Sequence, residues 1–122
     1  MRNEKRKYPR VKVKCPVVLM TSRGSLYGEV RNLSRVGALI RTSKFRKPPS
    51  SFPAVVSYRK KSFTAIAELV WSDNFFEEKS IRHSMGVRFT YIFAHGRETL
   101  DDIIHQHFLE RRKRKSSDQP SA

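Results

Sequence analysis

The sequence predicts a mostly β fold: a six-stranded antiparallel β-barrel with a C-terminal α-helix. Three observations predict it. Apolar residues recur at every second position in several separate stretches, the mark of strands with one buried face. The stretches are joined by short polar connections, which suits a small closed antiparallel sheet. Near His95 the apolar period changes from two to that of a helix. A length of 122 residues fits one domain with a single modest core.

The first strand starts at Val11, with Val13, Cys15, Val17 and Leu19 on its inward face. Cys15 thus falls among core positions, where a thiol behaves as a small hydrophobe. Thr21–Ser25 reads as a turn, and 26–31 alternate again, completing a hairpin over 11–31. Asn32-Leu33-Ser34-Arg35-Val36-Gly37 reads as a tight corner leading into a strand over 38–42. Residues 43–51 form a loop, since Pro48-Pro49 excludes regular structure. A short strand follows over 54–58, then a turn at Arg59-Lys60-Lys61.

Phe63, Ala65, Ala67, Leu69 and Trp71 predict a long strand over 62–72 that carries Trp71 to the core. Asp73–Arg82 reads as a polar loop interrupted by Phe75-Phe76, and Met85, Val87 and Phe89 define the last strand. Leu100, Ile103, Ile104, His107 and Phe108 then follow the stripe of an amphipathic helix lying over one barrel opening. His107 on that stripe reads as a packed core histidine. Acids in the early turns and Arg111–Lys115 past the end complement the helix dipole. The organisation is therefore a flexible basic N-terminal arm over 1–10, a barrel and helix over 11–112, and a disordered basic and polar tail over 113–122.

The formal net charge is +15. Residues 1–15 hold seven Lys/Arg against one acid, and residues 111–122 hold five against one, so the ends supply +10 of it. An anionic partner is expected, met at the ends. Charge alone leaves a nucleotide, a nucleic acid, a membrane surface and another protein open. A single cysteine excludes an internal disulfide and a cysteine metal cluster. No run is long enough for a membrane-spanning helix, the N-terminus lacks the apolar core of a secretory signal, and cytoplasmic residence is the default.

Two polar clusters carry the functional argument. Arg6 and Arg10 lie four apart, directly before the first strand, with Pro9 biasing Tyr8 to extended backbone. A guanidinium is always charged, planar and forked, so it suits a phosphate or the O6/N7 edge of guanine. Alone, this arm is also what a solvated basic terminus looks like. The second cluster is the corner: Asn32 offers a paired donor and acceptor, Ser34 a hydroxyl and Gly37 a backbone N–H.

Arg-x-x-x-Arg before the first strand and Asn-x-Ser-x-x-Gly after the second together resemble the PilZ domain family. Ala67–Trp71 and Met85–Phe89 are similar to later strands of that family, and the resemblance spans roughly residues 4–110. Val36 departs from it, standing where many members have a second glycine. The resemblance implies a ligand, cyclic diguanylate (c-di-GMP), held by Arg6, Arg10, Asn32, Ser34 and Gly37, with the arm closing over the corner. Asn32 would address a guanine edge or brace an arginine, Ser34 would donate to a phosphate or base, and Gly37 would let the ligand approach the backbone. Lys5, Arg35 and Arg41 are secondary candidates, and Trp71 is a possible base-stacking residue that its place in the alternation assigns to the core.

The implied protein is a non-enzymatic receptor and adaptor whose arm, once ordered by ligand, presents a changed surface to an unidentified effector protein. No cofactor and no metal are expected. The four histidines lack metal-ligand spacing, and Asp101-Asp102 point apart on a helix, which does not suit paired acid/base work. Two rivals remain: a degenerate PilZ-fold docking module without nucleotide, and a small basic barrel binding nucleic acid. The second is disfavoured because the strand aromatics are needed for core.

Overall fold

A computed structural model of the chain describes residues 8–43 and 49–117, the stretch 111–117 as backbone only. Six strands, β1 (Val11–Thr21), β2 (Gly24–Leu33), β3 (Gly37–Ser43), β4 (Ser51–Tyr58), β5 (Lys61–Glu77) and β6 (Ser80–Ile92), precede one helix, α1 (Gly96–Ser117). The strands close into an antiparallel barrel in the order β1-β2-β3-β6-β5-β4, with β4 returning to β1. The expected fold is the observed one. Helix α1 extends past 113, where the tail is expected to begin, and 118–122 lie outside the described residues.

The inward positions of β1 are all buried: Val11, Val13, Cys15, Val17 and Leu19. They meet Val30, Leu33, Ile40, Val56, Phe63 and Met85 in one core. Leu100, Ile103 and Ile104 of α1 join that same core, so the helix seals the barrel with the first half of its stripe. His107 is half-buried, its ring 5.3 Å from that of Tyr58, and Phe108 is 41% exposed. Gly96 is needed at the turn into α1, since a β-carbon there would lie 2.6 Å from Ile92 Cγ2.

Two expectations are corrected. Asp73–Arg82 is not a loop: β5 and β6 pair without a break from Asp73↔Ser84 to Glu77↔Ser80. The reversal is the two-residue turn Glu78-Lys79, both with positive φ (50° and 62°), the geometry of a tight hairpin usually supplied by Asn-Gly. Trp71 is not in the core. A register shift between Leu69 and Trp71 inserts Val70, and a bulge of one residue changes which face the following side chains occupy. Val70 is consequently 63% and Trp71 48% exposed.

Candidate functional site

The β2–β3 connection is built by its own side chains. The Ser34 Oγ accepts from the N–H groups of Val36 and Gly37, each at 3.2 Å, and the Ser34 N–H donates to the Gly37 carbonyl at 2.9 Å. Ser34 is 5% exposed, and its hydroxyl serves the backbone donors of the turn. Gly37 is required by the neighbouring strand: a β-carbon there would lie 2.3 Å from the Val87 carbonyl oxygen. The glycine thus admits the backbone of β6 beside its own. The Phe89 N–H donates to the Val36 carbonyl at 2.8 Å and ties the corner to β6.

Beside this corner opens a cleft of about 350 Å³. Arg10, Asn32, Ser34 and Gly37, expected together, all line it. Arg6 and Lys5, the remaining members of that expectation, lie outside the described residues. Among the other residues lining the cleft are Tyr8, Val36, Trp71 and Arg88, which the sequence reading did not assign to a site. No carboxylate lines it among the described residues, while two arginines do. A site with that balance favours anions. Its size is at the lower end of the range for small-molecule pockets.

Trp71 reaches the cleft because of Gly86, its cross-strand partner, whose missing side chain leaves room for the indole. Arg88 is an exposed side chain ion-paired with Glu68 across β5–β6. It pairs in register with Gly37, which brings it to the cleft wall. Sequence alternation already displays Arg88 as an outward residue, but which strand lies beside β3 is a matter of topology.

The two other secondary candidates point elsewhere. Arg35 leaves the corner on the side of α1, where its Nε donates to Asp101 Oδ1 at 2.8 Å. Arg41 places its guanidinium 5.1 Å from the centroid of the Phe75 ring and lines shallower depressions away from Ser34 and Gly37. Among the described residues, no group of three or more His, Cys, Asp or Glu is arranged to hold a metal ion, and no helix is long and apolar enough to cross a membrane.

A closed six-stranded antiparallel barrel with one C-terminal helix, and a cleft at the β2–β3 corner lined by arginines and no carboxylate among the described residues, defines a small β-barrel domain with an anion-favouring site. The family model for the PilZ domain matches residues 4–106, and the chain belongs to that family. No curated protein matches it. Among solved structures, the PilZ domain of YcgR from Escherichia coli with c-di-GMP aligns with TM-score 0.71 and 17% identity, covering 96% of this chain and 100% of that one. The inhibitor of motility MotI/DgrA of Bacillus subtilis aligns with TM-score 0.71 and 17% identity over 92% of this chain and 55% of that one. The MrkH–c-di-GMP complex of K. pneumonia gives TM-score 0.77 and 11% identity over 92% and 56%. The chain thus spans about half the length of MotI and MrkH.

Proposed function

We propose that this protein is a receptor for cyclic diguanylate, bound at the cleft between the N-terminal arm and the β2–β3 corner. The observation that carries the reading is the convergence of Arg10, Asn32, Ser34 and Gly37 on one cleft that holds arginines and an exposed tryptophan but no carboxylate. Family membership supports it, as do the YcgR and MrkH relatives solved with c-di-GMP.

The chemistry of each residue suits that ligand. Arg10, joined by Arg6 from the arm, offers forked charge-assisted bonds to a phosphate or a guanine edge. Asn32 supplies a paired donor and acceptor. Trp71 offers a face on which a base stacks. Arg88 exchanges part of its contact with Glu68 for the ligand at small cost, because an exposed ion pair contributes only about 0–1 kcal/mol. Ser34 and Gly37 act by shaping the floor. Micromolar binding requires about −8 kcal/mol, which two arginine forks and one stacked base reach after the cost of ordering the arm. Ligand draws residues 1–10 across the cleft, and the surface so changed is what an effector protein reads. The protein acts as an adaptor, not as an enzyme.

Calorimetry with cyclic diguanylate, GTP and a short oligonucleotide tests this. Selective heat from the cyclic dinucleotide, lost in Arg6→Ala and Arg10→Ala, is the expected result. Binding of the oligonucleotide instead, with steep salt dependence, would replace the reading with a nucleic-acid one. A flat trace with all three would leave a docking module without nucleotide.

A further inference from the structure

The binding corner has a second side. While Ser34, Val36 and Gly37 face the cleft, Arg35 between them is held from behind by α1. Its Nε donates to Asp101 Oδ1 at 2.8 Å, and its own carbonyl accepts from Arg97 Nη1 at 2.8 Å. Arg97 and Asp101 lie four apart, one above the other on one face of the helix. Helix α1 therefore grips one corner residue by both its side chain and its main chain. The grip has a firm base, because Leu100, between the two, is fully buried, as is Ile103 one turn on. The helix cannot slide without exposing core.

We propose that Arg97 and Asp101 are positioning residues for the cleft: through Arg35 they hold the corner in its ligand-ready shape, and ligand occupancy in turn tightens the seating of α1. Arg35 is then a strut, not a ligand contact. The inference rests on the reading of the cleft as the c-di-GMP site. Linkage makes the coupling reciprocal: whatever factor the helix contributes to ligand affinity, the ligand contributes to the helix seat. A partner that handles α1, whose Phe108 and Leu109 are exposed, would thereby sense the cleft.

The test uses the full chain. Arg97→Ala and Asp101→Asn are expected to lower affinity for cyclic diguanylate by about two- to fivefold each, with the unfolding midpoint lowered only slightly, as expected for exposed contacts. Arg97→Lys, which keeps a cation for the carbonyl, should restore most of the loss. Arg35→Glu combined with Asp101→Arg should recover affinity that either change alone removes. A role confined to fold stability would move the unfolding midpoint and leave the affinity of the folded protein unchanged.

Amide hydrogen exchange in the ligand-free protein supplies the second readout. The Asp101→Asn and Arg97→Ala proteins should exchange faster at Val36 and Gly37, with Ile103 and Ile104 unaffected. Adding ligand to the wild-type protein should slow exchange in the first turns of α1. Unchanged affinity in the Arg97→Ala/Asp101→Asn double variant, or corner exchange equal to wild type, overturns the proposal. If the wild-type protein binds no cyclic diguanylate, the proposed ligand is wrong, and the ligand-free exchange comparison still decides whether the helix holds the corner.

Discussion

A β-carbon on residue 86 would lie 2.2 Å from the indole Nε1 of Trp71, so the tryptophan's place at the cleft depends on the glycine opposite it. Because Trp71 is 48% exposed and lies outside the core, its removal should cost little stability. Trp71→Ala is expected to weaken cyclic diguanylate binding by about tenfold or more, from the roughly 1–3 kcal/mol of a stacked base. Gly86→Ala should act in the same direction by pushing the indole aside. Trp71 is the only tryptophan, so intrinsic fluorescence reads the cleft directly. Ligand should quench or shift it in the wild type, and the emission of ligand-free Gly86→Ala should already differ.

Gly37 and Ser34 answer a different question. A methyl group at 37 meets the Val87 carbonyl, a backbone atom that can move only if the β3–β6 pairing moves. Gly37→Ala is expected to destabilise the fold by about 1–3 kcal/mol, as overpacking does. Ser34→Ala removes the acceptor of two backbone N–H groups and should cost about 1–3 kcal/mol. Denaturant midpoints check both. Loss of ligand binding in either variant would therefore report on the shape of the corner, whereas Arg10→Ala should lose binding at an unchanged midpoint because Arg10 is exposed.

These cases show what was legible in the sequence. The buried face of β1 could be read because five apolar residues alternate without interruption, and the corner because Asn32, Ser34 and Gly37 are turn-forming residues at a strand end. The reading failed where local geometry departs from its usual chemistry. Trp71 left the core because of a one-residue bulge at Val70, and nothing in the apolar spacing marks it. The hairpin through 73–84 was hidden because its turn is Glu78-Lys79, two residues that rarely adopt positive φ. Arg88 was unassignable because β6 inserts between β3 and β5, an order that only closure of the barrel reveals.

The Cys15 thiol is 1% exposed, and burial, with the Glu29 carboxylate adding to it, pushes its pKa up to about 11 from 9.0. The thiolate is the reactive form, so both access and ionisation protect it. A disulfide reagent at pH 8 should modify the folded protein negligibly and react fully in denaturant. Since the folded value is raised, the associated stability is complete below pH 9 and is lost as pH rises from 9 towards 11. Rapid labelling of native protein at pH 8 would contradict this.

His83 sets the acid side. It is 2% exposed on β6, and its Nδ1–H donates at 2.8 Å to the Oδ1 of Asn74, its register partner across the hairpin. Asn74 Oδ1 can only accept, so the neutral ring already carries its proton on Nδ1. Burial lowers the imidazole pKa below 6.5, against the opposing pull of the Asp73 carboxylate. A depressed value means that the unfolded chain binds the proton more readily. Stability is then intact above about pH 6.5 and falls as the pH drops below it. Denaturant unfolding at pH 7.5 and 5 should show a loss for the wild type that shrinks in His83→Gln, which cannot take up the proton. The extended β5–β6 hairpin should open first, so exchange at the amides of 74–83 should accelerate on acidification before that of Val17 or Leu19 in the core. An equal pH response in wild type and His83→Gln would assign the acid sensitivity elsewhere.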